Sequence, residues 1–589
     1  MKILLIILCA LLISDCALAN SNSSSDYSAS IECLAEPPAP QYGGGLVANP
    51  DFDSGLDDWD VFGGSKIMLR KNMLQGNFYM VAYNRSLPTD GFSHIFYLQK
   101  DYLYTFSAWF QINEGSEIVS AFIRAPNGEN TIVGSVIAKS GCWSMLKGGF
   151  TSTHEMKVHL FFTCSNTTVE LWIDSVSLKQ FTKGQWQFQQ HQSINQIRKR
   201  QIKIEVRNEQ GEKLQGATIN LTQTRPHFPI GCGSTAAIID NRAYQEYFAS
   251  RFTAATPDNE MKWYFTEGVR GRENYTAMDA MAAFFKKNRI AIRGHNILWD
   301  SLNGSPQWIK DLRPNELVEA AVARIASVVS RYSGDVVAWD VVNENLHNSY
   351  FEDILGENAS AVFYHMVRAM DLETPLFLND YNTLEYPNDM KAIPSKYVEK
   401  IREIQRFIGN ENMAIHIGLQ GHFILTPNVS HMRAALDILG ATNMPIWLTE
   451  LDTKKGPRQS VELEDVMREA FAHPSVEGIM VWGGWKATAC NETCLNLGGG
   501  DELPRGCAQM CLTDNNFKNS EAGDVVDKLM QEWRSVEVVG ITDKEGFFWD
   551  KVFLGEYSLT ISHPSLPNSL HKTFNVTKAN APFLLSVAL

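Results

Sequence analysis

Residues 331–345 read RYSGDVVAWDVVNEN. Gly334 opens an apolar run, Val336-Val337-Ala338-Trp339 and then Val341-Val342, and Asn343 and Glu344 follow where the run ends. Periodicity alone does not separate such a run from a buried helix. Its shortness, its β-branched content and the preceding glycine favour a strand. A second stretch has the same build: Ile446-Trp447-Leu448-Thr449, tipped by Glu450. Two short apolar strands, each ending in a glutamate, point to a barrel whose strand ends carry two carboxylates.

Working outward, the region from 226 to 535 alternates short apolar strands with helical runs. The strands are expected at FPIGCGS, FTAATPDN, AIRGHNILW, VVAWDVVNE, PLFLND, AIHIGLQG, PIWLTELD and VEGIMVWGG, with helices such as NELVEAAVARIASVVSRY and ELEDVMREAFAH between them. This is the α/β pattern of a (β/α)8 TIM barrel. A doubly wound open sheet is the rival, but no G-x-G-x-x-G follows the first strand.

The strand tips are polar and aromatic: Asn259, Glu260 and Lys262; His295 and Trp299; Asn343 and Glu344; Tyr381 after Asn379-Asp380; Gln420 and His422; Glu450 and Asp452; Trp482 and Trp485. Core packing accounts for one or two of these and poorly for the set. Glycosidic cleavage needs a proton for the leaving oxygen and a partner for the oxocarbenium ion, and two carboxylates supply both. Glu344 reads as the acid/base and Glu450 as the nucleophile, with Asn343 placed for a sugar 2-OH. Lys262 is suited to a substrate hydroxyl or to neutralising Glu260, and Trp482 and Trp485 read as stacking platforms. A separation of about 5–5.5 Å between the carboxyls and a retaining outcome are expected. The chemistry requires no cofactor, and no catalytic metal is expected.

The flanking chain divides further, as 589 residues exceed one core. Residues 1–19 read as a signal peptide, one lysine, an apolar run and Ala17-Leu18-Ala19, and 20–40 as a flexible Ser/Asn/Pro-rich segment. Residues 41–180 are short alternating strands, a β-sandwich. Residues 181–225 read as a connector and 536–589 as a small β appendage. A net charge of −14 argues against nucleic acid or anionic membrane as partner. A secreted, extracellular, cell-wall monomer is expected. In the sandwich Trp59, Tyr79, Tyr83, Trp109 and Trp143 are either core or sugar platforms.

Eight cysteines lie beyond the signal, and an even number in an oxidising compartment favours disulfides. Cys490, Cys494, Cys507 and Cys511 form C-x3-C, twelve residues, C-x3-C. Two nested disulfides are preferred over zinc, whose knuckles are usually shorter. Cys142 is expected to pair with Cys164. Sequons begin at Asn22, Asn84, Asn166, Asn220, Asn274, Asn303, Asn358, Asn428, Asn491 and Asn575.

These motifs resemble a known family. Through RPHFPIGC, PDNEMKWYFTE, IRGHNILWD, WDVVNEN, NDYN, GLQGHF, WLTELD, VWGGW and CLTDNNFKN, residues 226 to about 555 are similar to glycoside hydrolase family 10, the endo-1,4-β-xylanases, in the land-plant form. NPDFDSGLDDW and VELWIDSVSL resemble the family 22 carbohydrate-binding modules joined to such enzymes, which implies that the β-sandwich is of jelly-roll type. The resemblance implies retaining hydrolysis of β-1,4-xylan, with Glu344 as acid/base and Glu450 as nucleophile. It places Glu260, Asn259, Lys262, His295, Trp299, Asn343, Gln420, His422 and Trp482 around the glycone. The stretch from Cys490 to Cys511 is longer than the GCYRMCLTDNNF-like joint of plant relatives, which bears on substrate length. A β-1,4-glucan hydrolase, a xylan transglycosylase and a non-catalytic wall-binding protein are the competing readings.

Overall fold

The computed structural model describes residues 26–73, 76–497, 503–504, 506–565 and 568–588. The expected signal peptide and the sequon at Asn22 lie outside these residues. No helix among them is long and apolar enough to cross a membrane.

The barrel is built from eight parallel strands. They are β1 (Ile230–Ser234), β2 (Ala254–Pro257), β3 (Ala291–Gly294), β4 (Val336–Asp340), β5 (Leu376–Asp380), β6 (Ile415–Leu419), β7 (Ile446–Thr453) and β8 (Val476–Val481). They pair in chain order, and β8 returns to β1, which closes the sheet. The principal helix after each strand is α1 (Arg242–Ala249), α2 (Thr276–Lys287), α3 (Pro314–Tyr332), α4 (Ala359–Met370), α5 (Pro394–Arg406), α6 (Val429–Gly440), α7 (Gln459–Ala472) and α8 (Glu521–Glu532). The open-sheet rival is excluded by this closure. Local signals set the helix ends: Pro314 opens α3, Asn241 caps α1 and Ser520 caps α8 through the amide of Gly523.

The N-terminal module is a sandwich of two five-stranded antiparallel sheets. One has the order 59–62, 91–98, 156–164, 116–124, 130–139, and the other 66–71, 78–83, 171–181, 103–112, 144–151. Phe92, Phe106, Phe110, Phe162 and Leu171 fill the space between them. Trp59, Trp109 and Trp143 are buried, whereas Tyr79 and Tyr83 keep a partly exposed face.

Cys142 does not pair with Cys164. It is bonded to Cys33, and Cys164 is a free, buried thiol. Cys164 ends the strand 156–164 and packs in the sandwich core, while Cys142 sits in the turn that passes from strand 130–139 to strand 144–151, from one sheet to the other. The segment around Leu34 bridges to Trp143 and carries Cys33 to that turn. The expected flexible segment is therefore anchored from Asp26 onward: Lys147 Nζ donates to the carbonyls of Asp26 and Ser28. The loop cysteines form the nested pairs Cys490–Cys511 and Cys494–Cys507.

The stretch expected as a connector is largely not a linker. Lys199–Arg207 pairs with Phe547–Phe553 and Phe583–Ala588, and Thr218–Pro226 pairs with Val538–Ile541 and Gly555–Ser562. Together they form a second, small sandwich around Ile202, Ile204, Leu221, Tyr557 and Leu559. Neither half can cover its own apolar face, so segments more than 300 residues apart share one core.

The first module docks on α6 and α7. Lys147 and Asp437 meet at 2.7 Å, both buried, and Asn428 Nδ2 donates to the Gly149 carbonyl at 3.0 Å. The helix Lys183–Ile197, closed by a Thr182–Gln185 capping box, presses Trp186 onto α7, where the indole donates to Glu469 at 2.8 Å. Residues 430–439 of α6 are consequently buried on every side.

Candidate active site

The C-terminal strand ends converge on Glu344 and Glu450. Beyond β4 the chain continues extended to Asn343, and Glu344 then turns to φ 59°. A non-glycine residue in this left-handed region is uncommon and must be held there. The hold is its amide, which donates to the Asn379 carbonyl at the tip of β5 at 2.9 Å. The Glu344 carboxylate accepts from the Trp299 indole at 2.8 Å and from Gln420 Nε2 at 3.2 Å. Burial raises its pKa above the ordinary value. The two hydrogen bonds oppose that, and the neighbouring charge of Glu450 adds to it.

Glu450 lies on β7 in a different field. Its Oε1 accepts from Asn379 Nδ2 at 3.0 Å and lies 3.9 Å from His295 Nε2, and its Oε2 is 3.4 Å from His422 Nε2. Each imidazole is backed by a second carboxylate. His295 Nδ1 is 2.9 Å from Asp340, which also takes Arg293 at 2.6 Å, and His422 Nδ1 is 2.9 Å from Asp452. Burial pushes the Glu450 carboxyl up, but His295, His422 and Lys262 outweigh it and hold the group down to about 2. Burial lowers the pKa of His422, yet Asp452 and Glu450 carry it well above its usual value.

Two residues between β4 and β7 tie the glutamates together. Asn379 binds the Glu344 amide with its carbonyl and the Glu450 carboxylate with its side chain. Gln420 binds the Glu344 carboxylate with its side chain and the Glu450 amide, at 2.8 Å, with its carbonyl. Asn379 is itself oriented, because Nδ2 donates to Asn343 at 2.9 Å and Oδ1 accepts from Thr449 at 2.5 Å.

The other expected residues, Trp485 apart, fall in three groups. Lys262 is buried, with its ammonium 4.9 Å from the Trp299 ring centre and 5.9 Å from that of Trp482, whose indole also meets His295 edge to face. Tyr381 stacks on His347 at 3.8 Å on the rim beside Glu344. Asn259 accepts from the Tyr264 hydroxyl at 2.5 Å, while Glu260 is a brace, accepting from the amides of Ala236 at 2.6 Å and Asn259 at 3.0 Å.

Trp485 is not an open platform. It is 7% exposed, packs against Tyr244 and Phe517, and donates to Asn515, because the chain beyond β8 turns back into the barrel wall. Sequence reasoning missed Arg293 and Asp340. The available signal was a charged residue inside each of two otherwise apolar strands, which must find a partner when buried. It left Asn379, Thr449 and Asp452 without a role, since their contacts cross between strands.

Among the described residues no cluster of His, Cys, Asp and Glu is suited to hold a metal ion. The arrangement instead offers one buried carboxyl biased toward its acid form and one held as an anion, side by side at the barrel mouth. That is the division of labour that a glycosidic bond requires.

Residues 221–526 match the model of glycosyl hydrolase family 10. Endo-1,4-beta-xylanase 5 of Arabidopsis thaliana is 36% identical over 585 residues, covering 97% of this chain and 96% of its own. Endo-1,4-beta-xylanase 4 of the same plant is 39% identical over 499 residues, 82% of this chain and 84% of its own. The solved CBM22-1–GH10 modules of a Clostridium thermocellum xylanase, complexed with xylohexaose, align at 17% identity and a TM-score of 0.42, over 83% of this chain and 98% of that one.

Proposed function

The chain belongs to glycosyl hydrolase family 10, and from that membership we propose that it is an endo-1,4-β-xylanase acting on cell-wall xylan by double displacement. The observation that carries the roles is the opposite bias of the two buried carboxyls. Glu450, ionised, attacks the anomeric carbon while Glu344 gives its proton to the leaving oxygen. Glu344, now a carboxylate, takes a proton from water, which attacks the same carbon and releases Glu450. Two inversions leave the β configuration.

His295 and His422 keep Glu450 anionic before the first step. The Trp299 and Gln420 hydrogen bonds stabilise Glu344 in the charged form it reaches midway through the cycle. Asn343 lies beside Asn379 at the same mouth, positioned for a sugar hydroxyl. Trp482, partly exposed beside Lys262 and His295, offers a ring face to the sugar.

The three disulfides support an extracellular location. In the N-terminal module, Tyr79 and Trp172 stack at 5.2 Å, with Arg70 paired to Glu170 beside them. Their partly exposed rings support a carbohydrate-binding role for that module.

The test is product analysis on glucuronoarabinoxylan and on cellulose, with proton NMR of the first-formed anomer. The expected result is β-configured xylo-oligosaccharides from the wild type and none from Glu450→Ala. Products from cellulose alone would replace the substrate, α-anomers would overturn double displacement, and xylan binding without cleavage would leave a wall-binding protein.

A further inference from the structure

The opposite end of the barrel holds a second concavity. Between the N-terminal ends of the strands and the small sandwich lies a cavity of 650 Å³. Its floor comes from the starts of β1, β3, β4, β7 and β8, and its roof from residues 224–226, 553–554 and 578 of the small sandwich. This volume lies within the range of sites that enclose small ligands.

The lining is cationic in a chain of net charge −14. Arg198, Arg225, Arg251, Arg289, Arg534 and Lys578 line it, with Glu477 the acid among them, exposed to solvent; Arg251 is paired with Asp527 and Arg289 with Glu556. Among the described residues, Arg198, Arg225 and Arg534 have no carboxylate within hydrogen-bond distance. Arg198 donates to the carbonyls of Phe471, His473 and Val476, Arg225 to those of Arg289 and Thr253, and Arg534 to that of Gln223. Carbonyls take these donors but neutralise no charge; Glu477 acts on Arg198 and Glu556 on Arg225 only from beyond hydrogen-bond distance, and a guanidinium without a paired carboxylate is costly in a partly enclosed space. The imidazole of His227 in the same wall is pushed below its usual pKa by burial and by Arg198 and Lys578, against the opposing pull of Glu477.

Two donors also lack partners. Trp533 Nε1 and Arg534 Nε are buried and without a hydrogen-bond acceptor among the described residues, and both side chains line the cavity. Buried donors without acceptors are rare in folded proteins. The apolar lining includes Trp447, which is half-buried, and Phe228 and Trp533, whose rings also pack against Phe471, with Arg198 over Phe228.

We propose that this cavity binds an acidic sugar, a pyranose ring bearing a carboxylate, with the ring against Trp447 and the carboxylate on Arg225 and Arg534. Guanidinium groups recognise carboxylates through paired hydrogen bonds, and aromatic rings pack on the apolar face of a sugar. The inference rests on this lining and not on the substrate assigned to the mouth. A uronic acid carried on a polysaccharide would be held here at the far end of the barrel from the glutamates.

The test is titration of the full chain with D-glucuronate and with D-glucose, followed by calorimetry and saturation-transfer NMR. Glucuronate is expected to bind and glucose not. Arg225→Gln and Arg534→Gln should each weaken binding by about tenfold, and Lys578→Gln, an exposed rim change that spares the fold, should weaken it less. Glu450→Gln should leave it unchanged. Absence of glucuronate binding to the wild type overturns the proposal. So does binding that survives all three cavity variants, binding that is lost in Glu450→Gln, equal binding of glucose, or displacement by inorganic phosphate at equal concentration.

Discussion

Glu344 and Glu450 have the same side chain and differ in what surrounds it. Indole and amide donors contact Glu344, whereas two imidazoles and an ammonium surround Glu450. Replacing Glu344 by alanine removes the proton donor and leaves the nucleophile. Hydrolysis of xylan should fall by about 10²–10⁴-fold. A dinitrophenyl xylobioside, whose leaving group needs no proton, should still give a burst of phenolate, visible in pre-steady-state absorbance. The pH dependence follows from the same contacts. Activity requires ionised Glu450, lost only as pH falls toward about 2, and protonated Glu344, lost as pH rises through its raised pKa. The Trp299 indole favours the Glu344 anion. Trp299→Phe therefore raises that pKa further and should move the alkaline limb of kcat/KM to higher pH; a shift to lower pH would contradict the assignment of that limb to Glu344.

At the scale of elements, α6 is unusual in having no solvent face. Its Asp437 is shared between Lys147 of the N-terminal module and His473 at the end of α7. Asp437→Leu leaves Lys147 buried without its carboxylate and should cost about 3–5 kcal/mol in urea unfolding. The double change Lys147→Met, Asp437→Leu should recover part of that loss, since an apolar pair replaces a buried ion pair at little cost, while His473 and the Asp26 and Ser28 carbonyls still lose their partners. Gly149 belongs to the same contact, because a Cβ there would lie 2.5 Å from the backbone of Ser430. The helical period of SHMRAALDIL was legible in the sequence. Its burial on every side was not, because the covering strand 144–151 lies nearly 280 residues earlier.

For the whole molecule, the small sandwich joins both ends of the barrel segment. Removing residues 536–589 would strip Tyr557, Leu559 and Ile561 from Ile202, Ile204 and Leu221. The expected outcome is loss of amide-exchange protection in 199–207 and 218–226, together with binding of a hydrophobic dye. Retained protection would show that the strand pair 199–226 folds without its partners. The same sandwich roofs the cationic cavity, so truncation should also abolish glucuronate binding.

Local patterning determined the eight strands, their helices and most of the polar tips, because each strand buries its apolar run and ends where the chain meets water. The WDVVNEN and WLTELD stretches by themselves set one glutamate just beyond β4 and the other on β7. Tertiary structure alone decided what crosses between elements. It paired Cys142 with Cys33, drew Trp485 into the wall, made one sandwich of a supposed connector and a supposed appendage, and set Arg293 and Asp340 behind His295. These are contacts between residues distant in the chain, and neither propensity nor periodicity, which act over a few residues, carries information about them.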